Sequence, residues 1–213
     1  MCMEWINNLF GNGPKLPEIY IPAKPRYPLN IDVNKSLKWK GIVIHHSGDP
    51  DDNTGNDFKE IKHYHMSYRI DYDIVTKDEF NRRIQLPDAD RHVFEKPWRD
   101  VGYNGIIERS ESIIIFNYGR SLNMSGAHSA ISGNTTFNYT HIGLCIVGNY
   151  DVTLPDKDLW NFTLMITRSY MDSFNIEVEN VIGHREVYDL LKVKRQKNCP
   201  GSKWDMNLFR NDI

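Results

Sequence analysis

The chain has 213 residues, 40% of them hydrophobic and 25% charged, with a net charge of −2. That is enough apolar content for one sizeable core. The near-neutral balance excludes the basic footprint of a nucleic-acid binder, and no apolar run approaches the roughly 20 residues of a membrane span. Three cysteines, Cys2, Cys145 and Cys199, form no framework spacing. A core or metal-binding role suits them better than a disulfide scaffold.

Residues 1–36 carry Pro14, Pro17, Pro22, Pro25 and Pro28, which prevent regular helix and disfavour a central strand. They read as an extended arm laid over a folded domain of residues 37–213. The start, MCMEWINNLF, lacks the basic, apolar and small-residue segments of a secretory signal, so synthesis and retention in the cytoplasm are expected until some other agent releases the protein. GIVIHH (41–46) is a β-branched run, expected as a buried strand. Turn residues then precede helical spacing at Phe58, Ile61, His65 and Tyr68. Residues 70–97 have no sustained period and read as an inserted loop or hairpin.

VGYNGIIE and SIIIFN read as two strands with RSE as their turn, and HIGLCIVGNY as another strand. PDKDLWNFTLMITRSYMDSFN reads as a long helix with Pro155 in its first turn and Leu159, Phe162, Ile166 and Tyr170 on one face. VENVIGHRE is a short strand entering a turn and a helix. Strands alternating with helices indicate an α/β layered domain.

His45 and His46 end one expected strand, His184 follows another, and Cys199 sits in the turn NCPG. Strand ends in such domains converge on one sheet edge, where ligands bind. Two imidazoles, one thiolate and an open fourth position would make a catalytic zinc site. Histidines beside apolar strands are also commonly structural, so spacing alone leaves both readings open.

The segments IVIHHS, WRDVGYNGIIE, GRSLNMSGAHS, THIGLCIVGNYD, VIGHRE and KNCPG occur in that order between about Ile42 and Gly201. Together they resemble the zinc-dependent N-acetylmuramoyl-L-alanine amidase family, which includes peptidoglycan recognition proteins and amidase-type phage lysozymes. The resemblance implies a mixed, mainly parallel central sheet with helices on both faces. It implies one zinc held by His45, His184 and Cys199, with His46 turned the other way by strand alternation. Tyr103 matches the tyrosine lining the family's active site. Lys197 matches a lysine of phage-type catalytic members, where many relatives have Thr. His128 matches a cleft-lining histidine, Asn138 or Asn134 an asparagine before the IGL strand, and Arg120 a Gly-Arg turn that is structural or at the cleft rim. Trp98 is a further candidate for the substrate wall.

The sequence departs from the family pattern in four places. The usual His and Phe after the Gly-Tyr pair are Asn104 and Gly105 here. The stretch 70–96 is extra, and it contains Tyr72 as a decoy for Tyr103. The segment between His184 and Cys199 is longer than usual and basic, suited to a cleft wall. A glutamate of some relatives is replaced by Cys145, expected in the core.

The activity implied is hydrolysis of the amide joining N-acetylmuramic acid to L-alanine of the stem peptide, with Lys197 and Tyr103 stabilising the oxyanion or handling protons. Peptidoglycan is the expected partner of a monomer that acts on the bacterial wall, most simply as a phage endolysin. A cytoplasmic or delivered bacterial amidase, and a non-catalytic peptidoglycan-binding module, are the alternatives.

Overall fold

The structure is a computed structural model and describes residues 29–49, 55 and 57–213. The greater part of the expected arm, residues 1–28 with Cys2, lies outside them. Of the remainder, Leu29 and Ile31 pack against the main core and Val33–Lys35 make one 3-10 turn.

In chain order the elements are β1 (Gly41–His46), α1 (Asp57–His65), β2 (Tyr68–Ile70), β3 (Asp73–Val75), α2 (Lys77–Arg83), β4 (Phe94–Glu95), β5 (Gly105–Ser110), β6 (Ile113–Tyr118), α3 (Thr136–Thr140), β7 (His141–Ile146), α4 (Lys157–Phe174), β8 (Val181–Gly183), α5 (His184–Leu190) and α6 (Met206–Asp212). The central sheet runs β6-β5-β7-β1-β8. Its β5–β7, β7–β1 and β1–β8 pairs are parallel, and only β5–β6 is an antiparallel hairpin. A mixed, mainly parallel sheet is what the sequence led us to expect.

Strand alternation divides the sheet into two unlike faces. Ile42 and Ile44 of β1, Ile142, Leu144 and Ile146 of β7 and Val181 of β8 pack under Leu159, Leu164, Ile166 and Tyr170 of α4 and Met206 and Phe209 of α6. Each fully buried side chain of this set contributes about 1.5–3 kcal/mol. On the opposite face Val43 and Ile182 meet Val187 and Tyr188 of α5, while Ile106 and Cys145 meet Phe58 and Ile61 of α1. Helices therefore cover both faces, and His45 belongs to the second one.

Four local expectations need correction. The helical face expected to run from Phe58 to Tyr68 stops at His65, and Tyr68 stands in β2. The β5–β6 turn is Glu111–Ser112, with Glu111 at φ 52°, because β5 continues through Ser110. Pro155 stands outside α4: Asp156 is its N-cap and accepts from the N–H groups of Asp158 and Leu159, two first-turn donors that have no partner within the helix.

The stretch 70–97 is not a plain loop or hairpin. It belongs to a three-stranded antiparallel sheet, β3-β2-β4, with α2 packed on it through Phe80, which meets Phe94 edge to face at 5.4 Å. Arg69, 1% exposed, ties this unit to the rest. Its guanidinium donates to the Tyr64 carbonyl and to Glu95, and lies over the rings of Tyr64 (4.4 Å) and Trp98 (5.6 Å). Arg69→Ala is expected to cost about 1.5–3 kcal/mol, since it removes the charged guanidinium's hydrogen bonds to the Tyr64 carbonyl and to Glu95. Limited proteolysis should then cut faster between residues 67 and 97; an unchanged cleavage rate there would show that Arg69 does not hold the unit in place.

Candidate metal centre and cleft

Parallel pairing sets the positions of the two histidines. Ile44 is level with Gly183, so the next residues, His45 and His184, are neighbours at the carboxyl ends of β1 and β8, with ring centroids 4.6 Å apart. His184 is also the first residue of α5. Cys199 comes from the turn beyond it, and its Sγ lies 3.6 Å from His45 Nδ1. Among the described residues, the ligand atoms of His45, His184 and Cys199 fall within 4.8 Å of one another.

Arg185 fixes the third member of this group. Its backbone N–H donates to the Cys199 carbonyl at 2.7 Å, and its guanidinium donates to the carbonyls of Asn198, Gly201 and Trp204. The turn carrying Cys199 is thereby bound to the helix that begins with His184. The His46 backbone N–H donates to the Cys199 sulfur at 3.4 Å. The His46 ring points to the other side, where its Nδ1 accepts from Tyr150 N–H and it stacks on Tyr150.

Two observations test whether a metal fits. His184 Nε2 is buried without a hydrogen-bond partner, which costs about 1–3 kcal/mol unless a ligand meets it. Two imidazole nitrogens and one sulfur are also a donor set suited to tetrahedral zinc with one open position. The histidines are held neutral, as ligands must be. Burial, with the charges of neighbouring histidines and Lys197, lowers His45 well below its ordinary value. Burial and the charge of Lys197 put His184 at about 4. Burial pushes the Cys199 thiol up to about 12 in the metal-free protein, against the opposing pull of the His46 N–H.

The triad opens into a cleft of about 600 Å³, lined also by His65, Trp98, Tyr103, His128, Asp151 and Lys197. A second cavity, about 750 Å³, shares Ser47, His65 and Tyr103 with it. The Tyr103 ring lies 5.2 Å from His45, and burial raises its hydroxyl well above the ordinary value, so it stays a proton donor. Trp98 stacks on His65 at 4.5 Å.

The other expected residues are placed differently. Asn138 is buried, and its Oδ1 accepts from the backbone N–H groups of His128 and Ser129. Arg120 is buried and donates to the carbonyls of Val101, Asp100 and Ser125, a staple and not a cleft contact. His128 touches the cleft, yet both its ring nitrogens have protein partners. Asn134 caps its own loop by accepting from Thr136 N–H. Tyr72, at the tip of the β2–β3 turn, is absent from the cleft lining. Cys145 is fully buried beside His45, as expected of a core residue.

Three residues were missed. His65 lies on the apolar side of α1, and its only sequence signal was a histidine at a core spacing. Arg185 was visible only as the letter after a candidate ligand. Asp151, in GNYD, is a cleft carboxylate kept low by the Ser202 N–H.

The buried histidines predict an acid-labile apoprotein. His128, at about 3, and His184, at about 4, are lowered mainly by burial from an unfolded value near 6.5. Below pH 6.5 the unfolded chain binds more protons, so the stability present above that pH is lost as pH falls towards 4. Each of the two removes about 1.4 kcal/mol per pH unit across that window. Urea unfolding of chelator-treated protein should weaken steeply from pH 7 to 5; a flat profile would mean that these imidazoles are not buried neutral.

A family model described as N-acetylmuramoyl-L-alanine amidase matches residues 35–202. Peptidoglycan recognition protein 1 of Bos taurus is 34% identical over 105 residues, 47% of this chain and 50% of that protein. The alignment thus spans about half the length of this curated relative. Among solved structures, N-acetylmuramoyl-L-alanine amidase LysC from Clostridium intestinale URNW superposes with a TM-score of 0.51 at 18% identity, covering 84% of this chain and 87% of its own. Bumblebee PGRP-SA gives 0.53 at 19%, covering 81% and 83%. These two likenesses are of fold. The family match takes in both histidines, Cys199, Tyr103 and Lys197, and by it the chain belongs to the N-acetylmuramoyl-L-alanine amidase family.

Proposed function

We propose that the protein is a zinc-dependent peptidoglycan hydrolase that cleaves the amide between N-acetylmuramic acid and L-alanine of the stem peptide. The observation that carries this reading is the convergence of His45, His184 and Cys199, with His184 Nε2 buried and unpartnered, at the floor of an open cleft. Zinc held there would supply Lewis-acid polarisation of the scissile carbonyl and a water of lowered pKa.

The chain's own groups supply the rest. Tyr103 keeps its proton, its ring lies beside His45, and its hydroxyl, hydrogen-bonded to Cys145, is a donor that substrate could recruit. Lys197, exposed and lining the same cleft, brings a cation to the charge that develops on the carbonyl oxygen. Preorganised donors of this kind are worth about 3–4 kcal/mol each. Trp98 and Tyr103 provide apolar wall for the glycan-peptide substrate, while Arg120 and Asn138 act through the loops they hold. The occurrence of Lys197, which resembles the lysine of phage-type members, supports a lytic, endolysin-like setting for this activity.

Purified peptidoglycan, with wild type and Cys199→Ser compared and zinc quantified in both, tests the proposal. Wild type should release stem peptides that begin with a free amino group on L-alanine and carry about one zinc per chain; the variant should lose both. Wall binding without released peptides in wild type would instead make the protein a recognition module. Lys197→Ala should lower turnover by 10²–10³-fold, about 2.7–4 kcal/mol, with zinc content unchanged. Normal turnover in that variant would remove Lys197 from the chemistry.

A further inference from the structure

His128 lies directly behind His45. Its Nδ1 is 2.9 Å from His45 Nε2, and its Nε2 is 3.1 Å from the carbonyl oxygen of His141. A carbonyl oxygen only accepts, so a neutral His128 carries its proton on Nε2 and leaves Nδ1 as a bare lone pair. His45 Nε2 must then bring the proton between the two rings. A neutral His45 with its proton on Nε2 has a bare Nδ1, and Nδ1 is the nitrogen that faces Cys199 Sγ.

The His128 ring has little freedom to do otherwise. A Cβ at Gly126 would come within 2.4 Å of its Cδ2, and one at Gly143 within 2.5 Å, so the ring occupies a slot that only glycines leave open. Its backbone is held by Asn138, which also holds Ser129. The Ser129 hydroxyl reaches the same Nδ1 at 3.1 Å, but a hydroxyl rotates and can donate or accept, so it fixes no tautomer.

We propose that the His141 carbonyl, His128 and His45 form a tautomer relay, in which His128 is a positioning residue that holds the His45 proton on Nε2 and so presents Nδ1 as the metal ligand. The metal half of this inference rests on the zinc reading of the triad; the tautomer half does not. His128 was expected to line the cleft as a substrate contact, and the relay gives it a different task.

Long-range 1H–15N correlation spectra of the chelator-treated protein report the tautomer of each neutral histidine. Wild type should show His45 protonated on Nε2. His128→Asn, whose Oδ1 can replace Nδ1 as acceptor, should retain that tautomer. His128→Leu, which has no acceptor, should lose it to a mixture. Zinc affinity, measured by competition with a chromophoric chelator, should fall about 10–100-fold in His128→Leu and stay near wild type in His128→Asn. A merely structural role for His128 would not divide the two variants in this way. The relay is overturned if wild-type His45 carries its proton on Nδ1, a measurement that needs no variant to fold. It is also overturned if a folded His128→Leu keeps both the tautomer and the zinc affinity. Wild type with His45 protonated on Nε2 but no zinc uptake would refute the zinc reading while supporting the relay.

Discussion

The parallel pairing of β1 with β8 is the constraint on which the site depends. His45 and His184 are separated by most of the folded chain, and no local interaction brings them together. The register does: Ile44 opposite Gly183 leaves the two histidines side by side where both strands end. A one-residue slip would turn His45 to the opposite face and exchange it with His46. The register is protected because Ile42 and Ile44 are fully buried under α4 and α6, and a slip would move them out of that core. The apolar face of the sheet thus fixes the geometry of the polar one.

The polar face accepts a cost that the apolar face avoids. His45, His128, His184 and Cys199 are all buried, and burying unpaired polar groups is unfavourable. The structure limits the cost by pairing most of their atoms: His45 with His128, His128 with the His141 carbonyl, the Cys199 sulfur with the His46 N–H. The remaining unpartnered nitrogen, His184 Nε2, is in the triad itself. A deficit located at the one point where three ligand atoms meet is what a site completed by binding should have.

Periodicity made the main sheet and α4 legible, because alternation in strands and the 3.6-residue repeat in helices record burial directly. It failed over 68–95. There the strands are two or three residues long, too short to establish a period, and they are held by Arg69 and by the contact of Phe80 with Phe94. The placement of the triad was legible from ordered motifs. The placement of the surrounding polar residues was not. Asn138 and Arg120 stand in motifs as conspicuously as Tyr103 does, but their polar atoms meet backbone groups. A residue letter is the same whether its side chain faces a ligand or a carbonyl, and only the folded loops distinguish the two. Arg185 shows the converse: an unremarkable letter beside His184 that fastens the whole Cys199 turn.

The two sides of the cleft differ in mechanical character. The floor is carried by β1, β8 and the start of α5, elements fixed by the core beneath them. The walls are carried by residues 196–198 and by Trp98, which leans on His65 and on the Arg69-anchored small sheet. A metal centre requires donor atoms held to a fraction of an ångström, which strand ends provide for His45 and His184 and the Arg185 bonds provide for the Cys199 turn. A polymeric substrate requires walls that differ from one wall chemistry to another, which loops and insertions tolerate. The small sheet at 68–95 therefore supports one side of the cleft without pairing to β1, β7 or β8, whose register holds the triad.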